Sequence, residues 1–164
     1  MTTPSLISTI MTNAEKIVAV ASAEVGVRES KKNGGAEIEG YQSATWLPPG
    51  SWPWCAAFVC WVLSRALPGH PELPRTAGAW DFEKWCRGVG NWARLRKPHR
   101  ADIKGGDIVI FRFSHIGIAT GPPDEDGMIE TIEGNTNGAG SREGDGVYRK
   151  FRGIEKIRSR IRIY

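Results

Sequence analysis

At 164 residues and 40% hydrophobic content, the chain can bury one ordinary core and is too short for two, so a single domain is expected over residues 1–164, with 1–12 as a flexible lead-in. Its longest central apolar run, Cys55 to Leu63, spans nine residues, far below the roughly twenty of a membrane-crossing helix; three cysteines without a CxxC pair provide neither a disulfide framework nor a zinc site on sulfur. The formal charge of +4 is uneven, since residues 147–164 hold seven basic residues against one acid, leaving fifteen basic and seventeen acidic residues for the rest.

In chain order, residues 1–12 lack a basic leader, and Glu15 and Lys16 interrupt the first apolar stretch, so no cleaved signal peptide is expected. A helix is predicted from Asn13 to Val25, capped by Thr12 or Asn13, with Ile17, Val20, Ala21 and Glu24 at helical spacing. Residues 26–53 read as a long irregular region punctuated by Asn33-Gly34-Gly35, Pro48-Pro49-Gly50 and Pro53, with one short element at Ala36–Thr45. A loop of that length in a small domain is usually functional. Cys55, Phe58, Val59, Val62, Leu63 and Ala66 then share one stripe, which predicts a buried helix starting at or beside Cys55 and closed by Pro68-Gly69. A third helix is predicted from Thr76 to Arg87, anchored by Trp80, Trp85 and Cys86 and ended by Gly88 and Gly90.

Strand signals follow at Asp107–Phe113, Ser114–Thr120, Met128–Glu133, Val147–Phe151 and Ile157–Tyr164. Helices first and strands after give an α+β class: N-terminal helices packed on a C-terminal antiparallel sheet of four to five strands. In the last strand, Ile157, Ile161 and Ile163 alternate with Lys156, Arg158, Arg160 and Arg162. The arginines read either as a solvated strand face or as a strip for an anionic polymer. No aromatic residues interleave with them before Tyr164, which argues against nucleic acid. Cys60 and Cys86 read as packing residues, with a disulfide between them as the alternative.

Cys55 stands where unpaired backbone N–H groups and the helix dipole favour a thiolate and can hold an oxyanion. The competing reading is a small buried hydrophobe. A nucleophilic cysteine needs a base. His70 and His99 read as loop residues, whereas His115 opens a strand on the same face as Gly117 and Ala119, whose small side chains leave room for a helix end or a substrate. Glu133 and Asn135 close the next strand, and alternation puts them on one side, where either could orient the imidazole.

Trp54-Cys55-Ala56-Ala57-Phe58-Val59, then Gly106-Asp107-Ile108-Val109-Ile110-Phe111 with Ser114-His115-Ile116-Gly117-Ile118, then Ile132-Glu133-Gly134-Asn135, resemble CHAP domains, the cysteine, histidine-dependent amidohydrolase/peptidases of the papain-like NlpC/P60 superfamily. Glu24-Val25-Gly26-Val27-Arg28-Glu29 and Tyr41-Gln42 fit the same pattern. The resemblance implies a papain-like fold and hydrolysis of an amide bond in peptidoglycan, by an endopeptidase or an N-acetylmuramoyl-L-alanine amidase. Cys55 is then the nucleophile, His115 the base and later the acid, and Glu133 the orienting residue, with Asn135 as alternative or additional partner. The N–H of Cys55 contributes to the oxyanion hole; Gln42 and Tyr41, and Trp54 beside the nucleophile, are further candidates for oxyanion or substrate contact.

Some CHAP domains bind calcium through an Asp-rich loop before the nucleophile; here that region holds Glu29, Glu37 and Glu39 and no aspartate, so neither metal nor other cofactor is expected. The expected partner is peptidoglycan, with anionic wall polymers on Arg158, Arg160 and Arg162, and the expected state is a monomer made in the cytoplasm that reaches the wall by release or delivery. A phage or prophage lysin is the favoured setting. A secreted antibacterial amidase, an acyl transferase with the same triad and a wall-binding module that does not cut remain as alternatives.

Overall fold

The centre of the molecule is the helix whose sequence carries the longest apolar run. In the computed structural model, which describes residues 10–97 and 102–164, this helix, α3, runs Cys55–Ala66, and only Trp61, Ser64 and Arg65 of it escape full burial. Three shorter helices surround or follow it: α1 at Asn13–Ala23, α2 at Ala36–Gln42 and α4 at Asp81–Gly88. Thr12 caps α1 through a reciprocal capping box with Glu15, which satisfies backbone donors at both residues. The predicted element at Ala36–Thr45 is thus a two-turn helix within an otherwise irregular stretch.

Six strands follow: β1 at Ala93–Arg96, β2 at Ile108–Phe111, β3 at His115–Ala119, β4 at Met128–Thr136, β5 at Gly146–Gly153 and β6 at Ile157–Ile163. They form one antiparallel sheet in the order β1-β6-β2-β3-β4-β5, so the class is α+β with one strand more than expected. The extra strand, β1, escapes a pattern reading because it is four residues long and gains its identity by pairing with β6. The sheet has two apolar faces. Ile108, Ile110, Ile116, Ile118, Ile132, Val147, Ile161 and Ile163 pack with the helices, while Val109, Phe111, Ala119, Ile129 and Ile157 form a smaller cluster on the other side. β4 approaches α3 closely because residue 134 is glycine: a Cβ there would lie 2.7 Å from Cβ of Phe58 and 2.8 Å from the Trp54 ring.

Two sequence expectations change here. The third helix starts at Asp81, not Thr76, because Thr76 folds into a turn whose Oγ1 accepts the Gly78 N–H and donates to Asp81. Phe82 is its fully buried anchor, whereas Trp80 is exposed. In β6 the register against β2 shifts between Ile110 and Phe111, so Ile157 joins the cluster around Phe111 while Ile161 and Ile163 face the helices. A bulge of this kind interrupts strict alternation.

The basic strip is engaged within the chain. Arg158 donates to Glu83 at 2.8 Å, Arg160 to Asp102 at 2.6 Å, and Arg162 to Asp107 at 2.7 Å. Arg160 is buried, Arg158 stays partly exposed, and all three arginines pair with carboxylates of this chain. Cys55, Cys60 and Cys86 are all free thiols, so Cys60 and Cys86 form no disulfide; burial pushes Cys60 up to about 12 and Cys86 up to about 11. Residues 1–9 of the lead-in, and His99, lie outside the described residues. Among the described residues no helix is long and apolar enough to cross a membrane.

Candidate active site

The turn that enters α3 places a thiol at the first helical position. Trp54 takes a non-helical conformation there and offers no side-chain cap, so the amides that open α3 are left without a capping acceptor. The chain before Cys55 is fastened from several directions. Asn135 Oδ1 accepts the Trp54 N–H at 2.9 Å, and the Trp54 indole N–H donates to Glu29 at 2.7 Å. Gln42, fully buried, donates to the carbonyls of Asn33, Gly50 and Trp52 and accepts the Gly50 N–H, which staples the Pro48–Pro53 turn. Cys55 is buried at 7% exposure, the most exposed among residues 55–60 of α3.

His115 opens β3 immediately after Ser114, which holds a left-handed backbone at φ 58°. The imidazole is fully buried, and its Nε2 lies 2.9 Å from Glu133 Oε2. Gly117 makes this approach feasible, because a Cβ at 117 would lie 2.7 Å from Glu133 Cγ. The small face anticipated beside His115 is therefore filled by a carboxylate. Glu133 in turn receives Arg152, with Nε on Oε1 at 2.9 Å and Nη2 on Oε2 at 2.6 Å, and the Thr131 hydroxyl on Oε1 at 2.7 Å.

Electrostatics fixes the protonation. Burial alone would raise the Glu133 carboxyl, but Arg152 and His115 overcome it and hold the group at about 2. An ionised carboxylate only accepts, so the shared proton sits on His115 Nε2. Burial would likewise lower His115; interactions with the Cys55 side chain and with Glu133 outweigh it and raise the imidazole to about 9. Nδ1 is buried and makes no hydrogen bond of full geometry. The remaining ring nitrogen is thus the one free to exchange a proton with the thiol that acts on the ring electrostatically.

The structure brings Cys55, His115 and Glu133 together and sends the other expected residues elsewhere. Asn135 does not face His115: a register shift between Glu133 and Thr136, with Asn135 left-handed at φ 57°, breaks the alternation, and its amide is spent on Trp54, Gly144 and Asn33. The Gln42 amide donors are taken by backbone carbonyls, so it is not a spare oxyanion donor. The Tyr41 hydroxyl donates to Glu24, with burial first and Glu24 second pushing its pKa up, and Trp54 is fully buried. All three are engaged in contacts within the chain.

Arg152 and Thr131 were not singled out from sequence. Pairing of β4 with β5 sets Arg152 opposite Ile129, on the strand face shared with Thr131 and Glu133, so a hairpin register was the signal that could have found it. Among the described residues no three His, Cys, Asp or Glu side chains converge as a metal site. Of the loop acids, Glu29 holds Trp54 and Asn33, and Glu39 pairs with Lys31. A cavity of about 480 Å³ is lined by Arg112, Phe113, Gly140, Arg152, Glu155 and Lys156, adjoining the Arg152 end of the network. A larger one, about 820 Å³, lies over Glu83, Leu95 and Arg158; it shares Arg112 and Glu155 with the first, and none of Cys55, His115, Glu133 and Arg152 lines it.

Residues 47–135 match the CHAP domain family. The fold is similar to that in the crystal structure of a wild-type endolysin, LysIME-EF1, at a TM-score of 0.63 and 17% identity, covering 93% of this chain and 65% of that one. The chain therefore spans about two thirds of that endolysin's length. No curated protein matches this sequence.

Proposed function

Because this chain belongs to the CHAP domain family, we propose that it is a cysteine amidohydrolase that cuts an amide bond of peptidoglycan through Cys55, His115 and Glu133. The observation that carries this reading is the imidazole held on one side by an ionised Glu133 and left, on the other, with a buried Nδ1 in reach of the Cys55 side chain's influence. That is the division of labour a nucleophile, base and orienting acceptor require.

The thiol proton passes to Nδ1, and the thiolate sulfur attacks the amide carbonyl carbon. The oxyanion that forms is met by backbone N–H groups at the start of α3, Cys55 first among them. Imidazolium Nδ1–H then protonates the amide nitrogen, the C–N bond breaks, and the amine leaves behind a thioester on Cys55. Water attacks the thioester while giving its proton to Nδ1, and the carboxylate leaves with the cysteine restored. Glu133 accepts the Nε2–H throughout, which keeps the ring in the useful tautomer and stabilises its charged form. A phage or prophage lysin is the setting we favour, on the likeness of the fold to an endolysin.

The test is mass spectrometry of the soluble products after purified sacculi of several cross-link types are incubated with the wild type and with Cys55→Ala. New amine termini without new reducing sugar ends, seen only with the wild type, support the reading, and the fragment masses identify the bond. Sedimentation of both proteins with the walls and release from none of them favours a binding module instead.

A further inference from the structure

The catalytic reading gives no role of its own to Arg152, a heavily engaged cation beside the site. Arg152 is buried, 8% exposed at its side chain, and its guanidinium grips Glu133 with two hydrogen bonds while Nη1 donates to the Gly140 carbonyl. It also lies over the rings of Phe111 and Phe113, 5.5 and 5.2 Å from their centroids, and both rings stack on His115 at 6.0 and 5.8 Å. One side chain therefore touches the carboxylate that orients the imidazole and the aromatic rings that flank it. The two oxygens of Glu133 are fully subscribed: Oε2 takes His115 and Arg152, and Oε1 takes Arg152 and Thr131.

Resting on the hydrolase reading above, we propose that Arg152 is a positioning residue for the reaction: its fork locks the Glu133 carboxylate in the rotamer whose Oε2 accepts the His115 Nε2–H, which keeps Nδ1 directed to Cys55. A buried lysine in its place would supply charge without the planar fork and could not fix both oxygens at once. The groups facing this pair from all packed elements are Cys55 on α3, Thr131 on β4 and Arg152 on β5, with Phe111 and Phe113 beside the ring. Removing Arg152 takes away the chief influence that keeps Glu133 ionised against burial. Protonation of Glu133 then moves up toward the working range, and its carboxyl can turn donor, which releases His115 from the productive tautomer.

The experiment compares wild type, Arg152→Gln and Arg152→Lys in kcat, KM and the pH dependence of kcat/KM, with the His115 imidazole titrated in parallel by nitrogen NMR. Folded protein is quantified by circular dichroism. Hydrogen-bond partners that orient the ligands of metal sites typically carry about 10- to 100-fold in metal affinity or activity, and a loss of that order is taken for a partner that orients the Glu133 carboxylate. Arg152→Gln is expected to lose kcat by that factor with KM held, to lose activity on the acid side at a higher pH than wild type, and to change the His115 titration; Arg152→Lys restores the acid limb but only part of kcat. Profiles that superimpose once scaled to folded protein, with an unchanged His115 titration, overturn the proposal and leave Arg152 a packing residue. If Arg152→Gln does not fold, Thr131→Val removes one donor from the same carboxylate; a shift of its acid limb and His115 titration in the same direction supports the proposal and unchanged profiles overturn it. The NMR readout needs no substrate. A wild type that cuts no wall, in a set where the His115 titration still moves with Arg152, refutes the hydrolase and keeps the positioning role.

Discussion

Two arginine–carboxylate networks are built into this sheet, and they differ in whether the pairing ends in another charge or in a reactive group. On β6, Arg158, Arg160 and Arg162 run into Glu83, Asp102 and Asp107, and the Ser159 hydroxyl adds a further bond to Glu83. That network links β6 to α4 and to the turn before β2. On β4 and β5, Arg152 and Glu133 lead instead to His115, whose far nitrogen is left for the Cys55 side. The same ion pair is structural where charge meets charge, and chemical where it leaves one proton-exchanging atom without a partner.

On the proposed hydrolase reading, substitutions at the open end of the Cys55–His115–Glu133 network should show the greatest effect on turnover. Cys55→Ala and His115→Ala are expected to cost at least about 10³-fold in release of wall fragments, as members of one nucleophile–base unit do, and both together to cost no more than either alone. Glu133→Gln comes next. It strands the buried Arg152 charge, so about 3 kcal/mol of stability should go with a fall in kcat on the order of 10²-fold or more, read by denaturant melts and by turnover.

The pH response tests the same end of the molecule. His115 is raised from 6.5 to about 9, so the stability it contributes is complete below 6.5 and is lost as pH rises through 9; Glu133 is lowered from 4.5 to about 2, so its contribution is complete above 4.5 and is lost as pH falls through 2. Thermal melts should show both contributions whole between pH 4.5 and 6.5, and kcat/KM should decline on the alkaline side around 9 as the imidazole loses its second proton.

Breaking the closed network should give the opposite signature. Asp107→Asn, at a buried carboxylate that faces Arg162, is expected to cost about 3 kcal/mol by chemical denaturation with kcat per folded molecule unchanged. Arg158→Gln is the mildest, because that arginine is half exposed and its pairing is screened by solvent; the denaturation midpoint and wall binding are both expected to stay unchanged. Loss of wall binding in Arg158→Gln would show that the strip meets the wall despite its pairing with Glu83.

The contrast also explains what could be read beforehand. α3 was legible because its apolar stripe, its preceding turn residues and its closing Pro68-Gly69 agree, and agreement between levels is what makes an element specific. His115 and Glu133 were legible through order and strand position. Arg152 was not, because its meaning comes from the β4–β5 register and a side chain that reaches diagonally across two strands. Asn135 misled for a related reason: alternation presumes an unbroken strand, and the left-handed residue after Gly134 turns it toward Trp54. The pairing of the three β6 arginines was not legible because their acids, Glu83, Asp102 and Asp107, are distant in sequence and adjacent only in the fold.

The measurement that bears most directly on the account is acid-quenched mass spectrometry of the protein mixed briefly with soluble wall peptides, followed by peptide mapping across Cys55. The account predicts an added acyl mass on Cys55 that forms in the wild type, decays with product release, and is absent in Cys55→Ala and strongly slowed in His115→Ala. Release of the same fragments by Cys55→Ala, or turnover by the wild type with an acyl group on any other residue, would contradict it.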